Sequence, residues 1–448
     1  MSTTAPKSEP LPSPLTSTRE ERGRQIAQRG GIRQLGARYV VPSASANSNV
    51  PTYLVDIVSD ECTCADFSTR RLRCKHIEGV LFWLAWEGDA MNDQTSDIGE
   101  TTQVTLNKKQ QSKQNWPAYN RAQTTERPRV SKMLFALLQG VPDQEREDGT
   151  PGQKPIPDRE AAFAISAKVY SGCSGRRFEG DIHTYVERGY LSRAWDANTL
   201  FRSMESPAMT PILTWALEEA ARVQVPFENA AGQIAIDATG FRTTVRRVRD
   251  EKEIIVARWS DQKHKKDKKK IVWFHEWVKL HAAVGTLTNV ITAAHVSAGM
   301  GKGSGDSPHF IPLLNTTTQR FAVKQVSGDK GYLDEDNLAA VAAIGAVPFV
   351  SFKDNSRGMD HPNEHWRRMF AYFDLKKEEF LRCYHRRSNV ESTFGAMKMT
   401  LGDSVSSKKL VAQQNEVLAK VLLWNLTRIV HTIEEFGVAA EFSSLVMP

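Results

Sequence analysis

The sequence predicts an α/β protein: a mixed sheet flanked by helices, preceded by a helical region and a small metal-binding module. Three observations predict it. In the C-terminal half, short apolar runs of strand character alternate with segments of helical periodicity. Between about residues 115 and 230 the apolar segments are helical. Near the N-terminus, three cysteines and a histidine fall between Cys62 and His76.

Taken in order, residues 1–30 are rich in Ser, Thr and Pro, end on Arg19, Arg22, Arg24 and Arg29, and read as disordered. They carry no apolar core of a signal peptide, so an intracellular protein is expected. Residues 31–88 form the small module. Ala37–Val41 and Tyr53–Val58 read as a hairpin whose long loop, from Pro42 to Pro51, is rich in Ser and Asn. The pattern C-x-C-x9-C-x-H follows, as Cys62, Cys64, Cys74 and His76. Three soft thiolates and an imidazole suit one tetrahedral Zn²⁺, and four protein ligands leave no position open for catalysis. The metal is structural on this reading, since so small a module needs it to fold. Ile77, Val80, Leu81 and Leu84 repeat at helical spacing, so His76 opens a helix. Residues 89–114 are polar, lack aromatic residues and read as a linker.

Helices are expected at Met133–Leu138, Ala161–Tyr170 and Pro211–Val223. The pair Gly180–Gly189 and Ser192–Met204 is arranged like a helix-turn-helix, which makes 115–230 a helical, DNA-binding candidate. The catalytic candidate spans 231–448. It begins with strand Ile234–Ile236, followed by a basic insertion at about 242–275. A hairpin around Gly285 comes next (Val278–Val284 and Val290–Val296), then helix His309–Leu314, strand Phe321–Val326, helix Asn337–Ile344 and strand Val347–Phe352. The segment His361–Phe380 leads into a helix from Tyr384, and Val411–His431 is a last amphipathic helix.

The 448-residue chain is 40% hydrophobic and 25% charged, as a globular protein is. No run of 18 apolar residues occurs, so no membrane span is expected. The net charge of +7 is localised. Twelve Lys or Arg against five acids lie between Arg242 and Lys270, among them Lys265, Lys266, Lys268 and Lys269. Such a block beside a candidate active site points to a polyanion, with phosphate contacts that give affinity without reading sequence.

The chemistry is carried by three acids. Tyr384, Arg387, Glu391, Phe394 and Lys398 share one face of the expected helix, which places a carboxylate mid-helix among cations. Taken alone this is a salt-bridge stripe. Two upstream acids change the reading: Asp237, in Ile-Ala-Ile-Asp-Ala-Thr-Gly-Phe, and Asp329, in Val-Ser-Gly-Asp-Lys-Gly-Tyr, each fall at the end of an apolar strand. Two strand-end Asp and one helical Glu are what a two-metal phosphoryl-transfer site needs. Asp306 reads as a loop residue capping the next helix. His264, His275 and His309 show no spacing that makes a metal site.

Tyr384-(2)-Arg387-(3)-Glu391-(6)-Lys398 resembles the Y-R-E-K pattern of the DDE transposases of bacterial and archaeal insertion sequences. The contexts of Asp237 and Asp329 resemble that family's first and second acidic motifs, and the resemblance covers about residues 115–435. The Cys/His pattern resembles a SWIM zinc finger, a module associated with binding DNA or protein. The resemblance implies a ribonuclease H-like fold and two Mg²⁺, with Mn²⁺ an alternative. Asp237 would bridge the ions, and Asp329 and Glu391 would each hold one. Arg387 and Lys398 would contact DNA phosphate or order the helix, with Tyr384 positioning the strand. The implied substrate is double-stranded DNA, cut at transposon ends and joined through its 3′-hydroxyl to a target. A homodimer is implied because two ends must be joined, and so is a cytoplasmic, nucleoid-associated location in a prokaryote. Two other readings stay open: a nuclease without strand transfer, and a domesticated binding protein. The front SWIM module and the Lys-rich insertion depart from many relatives.

Overall fold

A computed structural model describes residues 19–35, 38–43, 52–57, 59–90, 115–143, 155–248, 273–299, 305–353, 356, 358–442 and 446–447. Residues 1–18, most of the expected linker and Lys265, Lys266, Lys268 and Lys269 lie outside the described residues.

The N-terminal part runs through α1 (Arg19–Arg29), strands β1 (Arg33–Leu35), β2 (Arg38–Pro42), β3 (Thr52–Asp56) and β4 (Glu61–Cys62), then α2 (Ala65–Arg70) and α3 (Lys75–Ala90). Helices α4 (Trp116–Leu138), α5 (Asp158–Ser171), α6 (Gly175–Glu187), α7 (Ala197–Met204), α8 (Met209–Arg222) and α9 (Val225–Ala231) follow. Then come β5 (Gln233–Val248), β6 (Trp273–Gly285), β7 (Ile291–Ala298), α10 (Phe310–Thr318), β8 (Gln325–Gly328), α11 (Glu335–Ala343) and β9 (Val347–Val350). The chain closes with α12 (Glu364–Leu375), α13 (Lys377–Tyr384), α14 (Ser388–Leu401), β10 (Ser404–Val405) and α15 (Leu410–Phe436).

These elements group into two compact units. The first joins the residues up to 101 with residues 352–382, and the second holds 102–351 and 383–448. Residues 352–382, read from sequence as part of the catalytic region, therefore belong with the N-terminal module.

In the first unit β1–β4 form an antiparallel meander, with Tyr39 opposite Val55 and Val55 opposite Cys62. This is the expected hairpin, extended by one strand on each side. Its core is Ile26, Ile32, Tyr39, Val41, Val55, Phe67, Ile77 and Val80, closed around the three cysteines. Helices α1 and α3 cross closely: a Cβ on Gly23 would lie 2.5 Å from the Glu78 Cβ, so only glycine fits the crossing. A second cluster of Ala27, Phe82, Met359 and Ala371 seats α12 on α1 and α3.

The second unit is built on a mixed sheet in the order β7-β6-β5-β8-β9, with β10 pairing β5 separately. β5, β6 and β7 are antiparallel, whereas β8 and β9 run parallel to β5. Strand β5 alternates between two faces. Ile234 and Ile236 pack with Phe310, Leu314, Val326 and Val341 under α10 and α11. Ala235 and Phe241 face a larger core that includes Leu134, Phe163, Leu213, Leu217, Phe394 and Leu422, from α4, α5, α8, α14 and α15. The boundary drawn near residue 230 thus falls inside one hydrophobic core. Helix α15 is buried on almost all sides between Ala412 and Val430. Its buried Asn425 donates to the carbonyls of Leu217 and Ile291 (3.0 and 2.8 Å) and accepts from Ile291 N–H (2.9 Å), which satisfies the amide and ties α15 to α8 and β7.

Three expectations are corrected in detail. The strand expected at Ile234–Ile236 runs on to Val248, because pairing with β6 sustains a polar ribbon that its own hydrophobicity does not announce. The helix expected from Tyr384 is interrupted: α13 ends at Tyr384, His385–Arg387 form a 3₁₀ turn, and α14 starts at Ser388. The strand expected at Phe321–Val326 shifts to Gln325–Gly328.

Candidate active site and metal centre

Asp237 and Asp329 arrive on neighbouring parallel strands. Ile236 of β5 is paired with Gly328, the last residue of β8, so an acid follows each member of the final pair. Adjacent strands lie about 4.8 Å apart, close enough for the two charges to interact. Alternation along β5 then puts Asp237, Thr239 and Phe241 on the face covered by α14.

Glu391 is supplied by the first turn of α14. One nitrogen joins it to the sheet: Arg387 Nη1 donates to Glu391 Oε1 (2.7 Å) and to Asp237 Oδ2 (3.1 Å). The Asp237 side chain is only 18% exposed, whereas that of Glu391 is 57% exposed. Burial pushes the Asp237 pKa above the ordinary carboxylate value. The Ala238 N–H (2.8 Å) and Arg387 work against that rise, and the charges of Asp329 and Glu391 add to it. Asp237 therefore feels both other acids, with Arg387 the counter-charge between it and Glu391. They are not gathered tightly: among the described residues, the acid trio is not a group whose ligand atoms all lie within 4.8 Å of one another.

Tyr384 lies within reach of the same charges. Burial raises its pKa first, Arg387 opposes the rise, and Asp329 and Asp237 add to it. Its ring lies beside the Arg387 guanidinium, 5.8 Å from centroid to Cζ. Lys398 turns inward. Its Nζ donates to Thr239 Oγ1 (2.6 Å) and to the Gly240 carbonyl (2.8 Å), 5.1 Å from the centre of the Phe241 ring. Burial lowers its pKa. These bonds link Lys398 of α14 to β5.

Tyr332, His281 and His295 carry no signal of their own in the sequence. The Tyr332 hydroxyl is buried with no hydrogen-bond partner. Burial raises its pKa, and Asp306, Asp237 and Asp329 raise it further. Asp306 makes no capping bond and instead pairs with Lys279 Nζ at 2.5 Å. His309, unpaired by spacing, stacks on His281 with ring centres 3.8 Å apart, and His295 stacks on His309 at 4.8 Å. Burial holds the His281 pKa down at about 3. These associations cross strands and a loop, so no sequence spacing signals them.

Residues 229–426 match the family model of the transposase DDE domain. The match supports a DDE transposase, and hence a DNA substrate and a nuclease or transposase type of activity. Asp237, Asp329 and Glu391 all lie inside the matched span. The searches of curated proteins and of solved structures found no match. Among the described residues, no helix is long and apolar enough to cross a membrane.

Outside the matched span, the structure brings Cys62, Cys64, Cys74 and His76 together, all buried, with ligand atoms within 4.8 Å of one another. Cys62 ends β4, Cys64 caps α2, Cys74 precedes α3, and His76 lies in its first turn. His76 Nδ1 is 3.9 Å from both the Cys62 and the Cys74 sulfur. The edge of a tetrahedral zinc site is about 3.5–3.8 Å for S and N donors, so the cluster needs little contraction. The Cys64 sulfur accepts from Phe67 N–H at 3.4 Å. The Cys74 pKa is pulled down by its contact with Cys62, burial opposes this, and His76 and the Ile77 N–H support it. At least one thiolate is thus favoured before any metal arrives. His76 is held against the Tyr53 ring, 4.4 Å between centroids, and its Nε2 is buried and unbonded. The donor set and its closeness fit a zinc ion.

Proposed function

We propose that the protein is a DNA transposase that cleaves at the ends of its element and transfers the 3′-hydroxyl to target DNA, using Asp237, Asp329 and Glu391 as a divalent-metal site. The observation that carries this reading is the pairing of Ile236 with Gly328, which delivers two acids side by side, with Arg387 linking Asp237 to Glu391. The strand order, with three antiparallel strands and two parallel ones on the far side of β5, supports a ribonuclease H-like sheet. Three carboxylates are hard oxygen donors that suit Mg²⁺ or Mn²⁺. When bound, two such ions supply Lewis acidity to the attacking and leaving oxygens.

The chain's own groups then have distinct tasks. Asp237, mostly buried and near the other two acids, would hold the ions together with Asp329 and Glu391. Arg387 neutralises Asp237 and Glu391, and with divalent ions carrying that task its guanidinium would be available to a DNA phosphate. Tyr384 borders the site and positions the strand. Lys398 fixes α14. Lys265, Lys266, Lys268 and Lys269 would add phosphate contacts from the segment joining β5 to β6. A Y-R-E-K assignment, a SWIM-type finger and a homodimer joining two ends belong to the same reading.

The test is incubation of the purified chain with Mg²⁺ and DNA carrying the ends that flank its own gene, beside Glu391→Gln. Cleavage with joined products, lost in the variant and in EDTA, supports transposition. Cleavage without joined products means a nuclease. DNA binding without cleavage in either protein would sink the catalytic reading in favour of a binding protein.

A further inference from the structure

We propose that the Cys/His module is a metal-dependent clamp on residues 352–382, so that zinc occupancy governs the order of the segment leading into the Arg387–Glu391 turn. This rests on reading Cys62, Cys64, Cys74 and His76 as a zinc site.

The described residues of 352–382 gather around an aromatic group. Phe352 gathers Trp366, Phe370 and Phe373 around it, at 5.3 to 5.5 Å between ring centres, and Phe380 adds Tyr372 and Phe373. What fixes this aromatic group is borrowed from the N-terminal residues of the same unit: Met359 and Ala371 are buried against Ala27 and Phe82. Asp374, whose pKa burial raises, is ion-paired with Arg24. The Arg24 guanidinium is also 5.6 Å from the Phe82 ring centre, so one side chain serves both the helix contact and the buried acid.

The surface that receives α12 depends on the ligand cluster. Phe82 is six residues after His76 on the uninterrupted α3, a separation of about 9 Å. Helix α1 is held on α3 by the close crossing at Gly23 and Gly79. The meander supporting both has strands of only three, five, five and two residues. A module with strands this short has a small core, and a bound metal supplies folding energy to it. Removing the ion loosens the start of α3, hence the Phe82 surface, hence the seat of α12.

The consequence is carried along the chain. Helix α13 begins at Lys377, among residues of the first unit, and continues without a break to Tyr384. Arg387, which bonds both Asp237 and Glu391, follows three residues later.

Hydrogen exchange on the full-length chain, with no Mg²⁺ present, tests this. Metal analysis first measures zinc, which a chelator then removes and added zinc restores. The expected result is that amides of α12 (364–375) exchange about tenfold or more faster without zinc, while α15 in the second unit is unchanged. Zinc that leaves with no change in α12 overturns the clamp and leaves the zinc reading intact. A chain that neither carries nor binds zinc overturns both. Asp374→Arg, which keeps all four ligands, is expected to retain zinc yet lose protection in α12. Full α12 protection in that variant would also overturn the proposal.

Discussion

The protein holds two candidate metal clusters of opposite construction. The Cys/His cluster is assembled: four buried ligand atoms already lie within 4.8 Å of one another. The acid cluster is held apart, with Glu391 largely exposed and Arg387 between it and Asp237. The difference follows from charge. Thiols and imidazole can be packed neutral, with one thiolate stabilised by its neighbours, so proximity costs little before metal binds. Three carboxylates repel one another, and burying them together without cations is unfavourable. A structural site can therefore be folded around, whereas a catalytic one must stay open to ions and substrate.

The largest effect expected from this contrast is on catalysis. Glu391→Gln or Asp329→Asn should lower end cleavage by on the order of 10³-fold or more, since each removes several kcal/mol of metal-mediated stabilisation, while circular dichroism stays native. Retained cleavage would remove that acid from the site. Next comes the assembled cluster. Cys74→Ser should abolish zinc binding and unfold the N-terminal module, because structural zinc is worth about 10 kcal/mol or more. The second unit should keep its own thermal transition, and one merged transition would contradict that independence.

Replacing Lys265, Lys266, Lys268 and Lys269 by Ala should weaken DNA binding at all sequences. It should also flatten the slope of log K against log salt by up to about 0.9 for each phosphate no longer neutralised. An unchanged slope would show that the block does not touch DNA. Lys398→Met should cost about 1–3 kcal/mol in urea unfolding, by leaving Thr239 and Gly240 without their donor, and should not alter that slope. A changed slope would restore Lys398 to phosphate binding.

The smallest expected effect is the most diagnostic of the open acid site. The folded-state pKa of Asp237 is raised above its ordinary 3.8, so its ionised form disfavours folding. That penalty is absent below the unfolded pKa and grows as pH rises through the folded one. Asp237→Asn should therefore raise the Tm of the metal-free protein at neutral pH by about 2–4 °C, with the gain vanishing in acid. Saturating Mg²⁺ should stabilise only the wild type. A variant less stable than wild type without metal would mean that the bond to Arg387 outweighs burial and repulsion.

Much of this was legible in the chain. The existence of strands leading to Asp237 and Asp329, though not their bounds, the hairpin at Gly285 and the spacing of Cys62, Cys64, Cys74 and His76 are local patterns, and period and residue type report them directly. The partners of Lys398 and Asp306 were not legible, because each lies across the fold, Thr239 and Lys279 respectively. The break at His385–Arg387 was hidden for the same reason: the periodicity runs on, but Arg387 is tied to Asp237, 150 residues earlier.

The sequence by itself showed which candidate ligand residues the chain carries and near which strand end or helix they fall, because hydrophobic period, strand ends and donor chemistry are properties of neighbouring residues. The tertiary structure alone decided what each met. It set the register that puts Asp237 beside Asp329, placed the guanidinium between Asp237 and Glu391, and joined residues 352–382 to the N-terminal module. Those outcomes depend on packing and charge between segments far apart in the chain, which no local pattern encodes.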